Sequence, residues 1–148
     1  MKNLVATAAL VLLFATPAAA QYVSQAPSDL SSMESFALLG DSNAQLNLGN
    51  YFAASHNAAP DPEQAAKWYR KSADQGNAEA QYRLGDFYYK GKGGLKQSYE
   101  EAYFWFVLAS QSGGKAFATD RDETALHLTP DQIGAVKKRA GDWKPVKK

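Results

Sequence analysis

The chain has 148 residues, a formal net charge of +1 at pH 7 and no cysteine. This length is sufficient for one domain with a modest core, and the balanced charge gives no indication of a nucleic-acid partner. The lack of cysteine excludes a disulfide and a cysteine-linked lipid anchor, so packing alone must hold the fold.

The first twenty residues have the pattern of a cleaved secretory signal peptide. Lys2 precedes an apolar run from Leu4 to Ala15, and Ala18-Ala19-Ala20 forms a small-residue cleavage site before Gln21. The apolar run is short for a membrane span, although an uncleaved N-terminal anchor is the alternative. The short, alanine-rich signal is typical of bacteria. The sequence therefore predicts a periplasmic or secreted protein, cleaved after Ala20, whose mature form has no transmembrane segment.

A flexible leader and a short helix are predicted next. Residues 21–29 contain Pro27 and small polar residues without apolar periodicity, as in a leader. From Leu30 to Leu39 the apolar residues recur at helical spacing, and Gly40 is placed to end the helix. The apolar positions are Leu30, Met33, Phe36 and Ala37. This helix is interpreted as a capping element or as the decayed second helix of an earlier unit.

Two stretches of the chain repeat one another. Residues 43–49 match residues 79–85 at an offset of about 36 positions, a period typical of helical repeat arrays. Downstream, three residues match three others at an offset of about 37 positions: Ala65 with Ala102, Trp68 with Trp105, and Gly76 with Gly113. The sequence therefore predicts two units, repeat one at about residues 42–76 and repeat two at about 78–113.

Each unit is predicted to contain two helices. The helices span about 42–54 and 62–75 in repeat one, and about 78–90 and 98–111 in repeat two. Asp61 and Pro62 favour a helix start, and Ser98 with Glu101 has the spacing of a capping box. Gly49 and Gly85 recur inside the first helix of each unit, where glycine is costly, which predicts a close approach of two helices.

The last part of the chain does not repeat the motif. Residues 116–126 can form a helix, and Thr129-Pro130-Asp131-Gln132 is typical of the start of another. We expect this pair, within a closing segment at about 115–143, to cover the second helix of repeat two, including Tyr103 or Phe104. Residues 144–148 form a basic tail, and the helical domain as a whole is predicted to span residues 30–143.

The matched positions resemble the Sel-one-like repeat family. The resemblance rests on Leu84-Gly85, Tyr88, Gly91-Lys92-Gly93, Ala102, Trp105 and Gly113, with a partial match in repeat one. It implies an all-α fold: a short right-handed αα-superhelix, or tetratricopeptide-like solenoid, with capping helices at both ends. It also implies scaffolding or adaptor roles between proteins, and no particular reaction or cofactor.

No pattern of catalytic or metal-binding residues is convincing. Ser112 and Lys115 match S-x-x-K, but neither S-D-N nor K-T-G accompanies them. His56 and His127 lack metal-ligand spacing. The carboxylates near Arg121 do not fit a calcium loop, and we interpret them as a solvated helix face: they are Asp120, Asp122 and Glu123.

A partner-binding groove is predicted on the first helix of each unit. By analogy with tetratricopeptide grooves, the positions between the core stripes face the inner surface, where mixed aromatic and polar side chains suit peptide recognition. These positions are Asn43, Leu46, Asn50, Glu79, Tyr82, Asp86, Tyr89 and Lys90.

Three functions follow from these observations. The first is an interaction or adaptor module that binds a protein or peptide partner in the cell envelope. The second is an envelope hydrolase acting on peptidoglycan or β-lactams through Ser112 and Lys115, which requires those side chains to meet in a cleft. The third is a structural subunit that self-associates.

Overall fold

The computed structural model of the chain describes residues 30–54 and 59–146. The predicted signal peptide, the leader and His56 lie outside these residues. Within them the structure has seven α-helices, one short 3-10 helix and no strand, which confirms the all-α prediction. The helices are α1 (Leu30–Leu38), α2 (Ser42–Ala53), α3 (Pro62–Asp74), α4 (Ala78–Lys90), α5 (Tyr99–Gly113), the 3-10 helix (Gly114–Phe117), α6 (Ala118–Ala125) and α7 (Pro130–Asp142).

Side-chain caps begin most of these helices where the sequence indicates. The Asp61 carboxylate accepts from the amide of Gln64 at 3.0 Å, with Pro62 at the first helical position of α3. Thr129 and Gln132 form a reciprocal capping box at the start of α7. These caps satisfy backbone N–H groups that have no partner inside the helix.

The capping box predicted at Ser98 is only half formed. The Ser98 hydroxyl accepts from the Glu101 amide at 3.2 Å, but the Ser98 amide donates to the carbonyl of Tyr88. The Glu101 carboxylate instead accepts hydrogen bonds from both terminal guanidinium nitrogens of Arg139, at 2.7 and 2.8 Å. A bidentate ion pair is stronger than a capping hydrogen bond, so the tertiary contact takes the side chain.

Helix α1 stands in the place of a second helix of an earlier unit. The Gln45 side chain donates to the Ala37 carbonyl at 3.0 Å, and in repeat two Gln81 donates to Ala73 in the same way, at 3.2 Å. Gly40 and Gly76 end the two helices with φ values of 88° and 91°. Because the contacts recur one unit apart, α1 occupies the position that the second helix of a preceding unit would take.

One face of α1 is open. Phe36 is 48% exposed and Leu39 is 79% exposed, although the helical spacing places Phe36 on the apolar stripe. Their counterparts in repeat one are Ser72 and Gln75, which bind the first helix of their own unit. Among the described residues, α1 has no such preceding helix, and periodicity cannot indicate whether one is present.

The recurring glycines allow aromatic rings to lie directly on α2 and α4. A Cβ atom on Gly49 would lie 2.4 Å from the Tyr69 ring, and one on Gly85 would lie 2.7 Å from the Phe106 ring. Both distances are shorter than real Cβ contacts, which confirms the predicted close approach. Tyr69 and Phe106 therefore occupy equivalent positions in the two units.

The main core extends from α3 of repeat one through both helices of repeat two to α7. Tyr103, Phe104 and Trp105 are buried, and Val136 and Ala140 of α7 pack with them in one cluster. The Arg139 guanidinium lies 3.7 Å from the centre of the Phe104 ring. The closing segment thus covers α5 as predicted. Beyond α7, the Val146 amide donates to the carbonyl of Asp74 at 2.8 Å, so the start of the basic tail returns to α3.

Candidate partner-binding groove

A cavity of about 240 Å³ lies between α4 and α6, with α5 beneath it. We call it the α4–α6 cavity. It brings together four of the eight residues predicted for the groove, all from α4, with residues of α5 and α6. Its lining residues are Tyr82, Asp86, Tyr89, Lys90, Phe106, Asp120, Glu123 and Thr124.

Helix periodicity explains the contribution of α4. Asp86 follows Tyr82 by four residues and Tyr89 follows it by seven, so the three side chains share one face over two turns. Lys90 lies four residues after Asp86, and its ammonium is 2.5 Å from the Asp86 carboxylate. Along this face, Asp86 therefore lies between the rings of Tyr82 and Tyr89, and its ion-pair partner Lys90 lies beyond Tyr89.

Tyr82 is held firmly on this face of α4. Its ring stacks on Phe117, with centroids 4.9 Å apart and an angle of 29° between the planes, and it lies 5.6 Å from the Phe106 ring. Its hydroxyl hydrogen-bonds to Asp120, which, together with burial, raises the pKa of Tyr82 to about 12. The tyrosine is thus a neutral hydroxyl that ties α4 to α6.

An aromatic cluster forms one rim of the cavity. Tyr89 meets Tyr99 edge to face with centroids 5.4 Å apart, and the Tyr99 ring stacks on His127 at 4.1 Å with only 8° between the planes. The Tyr89 hydroxyl lies 3.5 Å from His127 Nε2. Sequence reasoning considered His127 only as a metal ligand and missed this cluster, because no sequence pattern places the end of α6 beside α4.

Helix α6 supplies the acidic side of the cavity. Asp120 and Glu123 are three residues apart and therefore lie on one face of the helix. The predicted solvated face is correct for Asp122 and Glu123, which are both exposed, and Asp122 pairs with Arg121 at 2.7 Å. Thr124 is fully buried and its hydroxyl donates to the Asp120 carbonyl at 2.6 Å. In the sequence, the three-residue spacing of Asp120 and Glu123 already indicates that they share one helix face.

The other predicted groove residues lie outside the cavity. In repeat one, Asn43 accepts from the Asn77 side chain at 3.0 Å, and Asn50 accepts from the Tyr69 hydroxyl at 2.9 Å. Leu46 is half-buried against the main core. In repeat two, Glu79 pairs with Arg83 at 2.8 Å. Each of these four side chains has a contact within the fold. Their role in partner binding stays a prediction.

The alternative chemistries find little support in the described residues. Ser112 and Lys115 are both exposed and line neither the α4–α6 cavity nor a wider one of about 460 Å³ between α3 and the loop after α4. In residues 30–54 and 59–146, no three histidine, cysteine or acidic side chains are grouped so as to hold a metal ion. Over the same residues, no helix has both the length and the apolarity required to cross a lipid bilayer.

Comparison with known proteins agrees with the fold. The Sel1 repeat family matches residues 42–77 and 78–114. No curated protein matches the chain. Among solved structures, it is similar to c5321, a protective antigen with an SLR fold present in uropathogenic Escherichia coli strains, with 35% identity and a TM-score of 0.69 over 75% of this chain and 24% of that one.

A second solved structure is a Sel1 repeat protein from Oxalobacter formigenes. It has 29% identity and a TM-score of 0.57, over 66% of this chain and 38% of that one. The chain therefore spans a quarter to two fifths of the length of these two proteins. Taken with the two matched units and the recurring contacts of their helices, this similarity shows that the chain contains two Sel1 repeats in the solenoid fold of Sel1-like repeat proteins.

Proposed function

We propose that the chain is an exported protein–protein interaction module of the bacterial cell envelope that holds its partner in the α4–α6 cavity. The observation that carries the proposal is this cavity, where Tyr82, Tyr89 and three carboxylates converge on rigid helices. Sel1 repeats act generally in protein–protein interaction. The pattern of residues 1–20 supports export.

The composition of the cavity suits a protein partner better than a small substrate. Its volume of about 240 Å³ is below the range of about 300–1,000 Å³ usual for drug-sized ligands. Half-exposed tyrosines provide a large contact area at a low cost in conformational entropy. A site of this kind is suited to one or two side chains of a larger partner.

Capture of partners from an envelope extract tests the proposal. The exported chain and its Tyr89→Ala variant serve as baits, with Tyr51→Ala as a matched control, because Tyr51 is a half-exposed tyrosine on α2 that does not line the cavity. We expect Tyr89→Ala to lose a protein that wild type and Tyr51→Ala both retain, by more than about tenfold, as for an interface hot spot. Equal capture by all three baits would contradict the role of the cavity.

Self-association through α1 is a second candidate function. It is favoured by the exposure of Phe36 and Leu39 at the positions where repeat one has Ser72 and Gln75. A Phe36→Ser, Leu39→Gln variant restores those polar residues. If α1 mediates self-association, the variant will be a monomer by light scattering under conditions in which the parent chain is not. A monomeric parent chain would exclude this function.

A further inference from the structure

The α4–α6 cavity differs from the equivalent place in repeat one by a pair of substitutions. In repeat one, the Tyr69 hydroxyl donates to Asn50 Oδ1 at 2.9 Å, which pairs the two side chains inside the fold. In repeat two, the equivalent residues are Phe106 and Asp86. Phe106 has no hydroxyl, so Asp86 faces the cavity and contacts Lys90 instead. The closed polar pair of repeat one is replaced by an open site with a charge.

The charge of this open site is negative. Three carboxylates line the cavity, from Asp86, Asp120 and Glu123, against the single ammonium of Lys90. That ammonium is engaged by Asp86. The nearest cations along α4 and α6 are also committed, since Arg83 binds Glu79 and Arg121 binds Asp122. Within residues 30–54 and 59–146, Asp120 and Glu123 therefore form no ion pair, and Asp120 accepts only the hydrogen bond from the neutral Tyr82 hydroxyl.

Apart from Lys90 and the buried Thr124, the residues that line the cavity beside these carboxylates are aromatic. Phe106 closes the bottom, and the rings of Tyr82 and Tyr89 border the opening. A planar guanidinium can stack on such a ring and donate two hydrogen bonds to a carboxylate at the same time. An ammonium gains less from this geometry because its hydrogen bonds are not planar and it is more strongly hydrated. Aromatic walls with carboxylates on one side thus match the arginine side chain.

We propose that the α4–α6 cavity binds an arginine side chain in an exposed segment of the partner protein. This inference rests on the proposed function and names the chemistry of the partner. Glu123 and Asp120 receive the guanidinium, and Tyr89 supplies the ring beside it. The cavity volume accommodates one such side chain and leaves the partner backbone outside, across α4 and α6.

The assignment is tested with short glycine peptides that carry a single central residue. Isotope-labelled protein is titrated with the arginine peptide and with matched peptides containing citrulline, lysine or glutamate, and amide chemical shifts are followed. Citrulline keeps the shape of arginine without its charge. We expect saturable shifts at Tyr82, Asp120 and Glu123 with arginine, and affinity lower by about tenfold or more for citrulline, because a charge-assisted hydrogen bond is lost.

Two variants test the residues. Glu123→Gln removes a carboxylate from the cavity, and Asp122→Asn removes one from the exposed side of the same helix as the matched control. We expect Glu123→Gln alone to weaken the arginine peptide, by about threefold to tenfold. Near-ultraviolet circular dichroism verifies that both variants keep their packing.

Several outcomes would overturn the inference. They are equal affinity for arginine and citrulline, equal affinity for arginine and lysine, shifts that map outside the cavity, or equal effects of the two variants. Partner capture that is lost in Tyr89→Ala but unchanged in Glu123→Gln would overturn the arginine site and leave the proposed function standing. Capture that neither variant changes would contradict both.

Discussion

Replacement of Ser112 by glutamine should supply a hydrogen bond that repeat one has and repeat two lacks. In repeat one, the Gln75 side chain donates to Gln45 Oε1 at 2.6 Å, while Gln45 donates to the Ala37 carbonyl. In repeat two, Gln81 donates to the Ala73 carbonyl, but its Oε1 atom is buried and has no hydrogen-bond partner among the described residues. The repeat offset places Ser112 where repeat one has Gln75. The orphaned oxygen is thus explained by a side chain that is too short.

The expected effect of Ser112→Gln can be worked from this comparison. A buried polar atom without a partner costs about 1–3 kcal/mol, and a new amide hydrogen bond recovers part of it. Ordering the added glutamine costs up to about 1.5–2 kcal/mol of side-chain entropy if it is fully fixed, and less at an exposed helix end. We therefore expect a net gain of about 1 kcal/mol in the free energy of unfolding, and a rise in Tm of about 3–6 °C for a domain of this size.

Thermal and urea unfolding followed by circular dichroism measure the change. Ser112→Ala is the control, because alanine is the better helix former and has no donor for Gln81. The reciprocal variant Gln75→Ser should lose about 1–2 kcal/mol by leaving Gln45 Oε1 without a partner. If Ser112→Gln is no more stable than Ser112→Ala, the two units do not share this geometry and the reasoning is refuted.

Three further predictions use other parts of the structure. Gly85→Ala should lower the free energy of unfolding by about 1 kcal/mol or more, since its Cβ would lie 2.7 Å from the Phe106 ring. Gly134→Ala, whose Cβ would have no atom within 4 Å, should raise the free energy of unfolding by about 0.5–1 kcal/mol. Equal changes for the two variants in urea unfolding would contradict the close approach at Gly85. The pKa values of Tyr69 and Tyr82 are raised from 10.0 to about 12, by burial and by the Asp120 hydrogen bond respectively. The stability that the two tyrosines contribute is therefore complete below pH 10 and is lost as the pH rises from 10 to 12. Tyr82→Phe should flatten the fall of Tm over that range, and an unchanged slope would show that ionisation of Tyr82 does not cause the fall. Mass spectrometry of exported protein should give Gln21 as the first residue, and a mass that includes residues 1–20 would contradict cleavage after Ala20.

The parts of the fold that follow from local sequence were predictable. The repeat spacing located four helices, and the cap at Asp61 with its proline located a boundary within a residue. Gly85 indicated a close helix contact because a recurring helix-interior glycine needs a packing reason. Four of the cavity residues were predicted from helix phase together with the analogy to tetratricopeptide grooves: Tyr82, Asp86, Tyr89 and Lys90.

The parts of the fold that depend on contacts between separate elements could not be predicted from local sequence. The exposure of Phe36 depends on whether another helix precedes α1, which periodicity does not contain. Glu101 has the sequence spacing of a capping residue but is bound by Arg139, a residue 38 positions away. The place of Asp120 and Glu123 in the cavity required the position of α6, and α6 lies after the last repeat, where no offset fixes its register.

Phe106→Tyr tests directly whether the loss of one hydroxyl opened the site in repeat two. Phe106 lies against Gly85 as Tyr69 lies against Gly49, so a hydroxyl at position 106 should reach Asp86 as that of Tyr69 reaches Asn50. The new bond to a carboxylate contributes about 1.5–3 kcal/mol, while burial of the hydroxyl and competition with Lys90 offset most of it. We therefore expect the free energy of unfolding to change by less than about 1 kcal/mol. The cavity, however, would lose both volume and the open Asp86 oxygen, so affinity for the arginine peptide should fall by about threefold or more. A variant that unfolds would refute the equivalence of the two positions. A stable variant that binds the arginine peptide as well as wild type does would show that neither the Phe106 floor nor the Asp86 oxygen contributes to recognition.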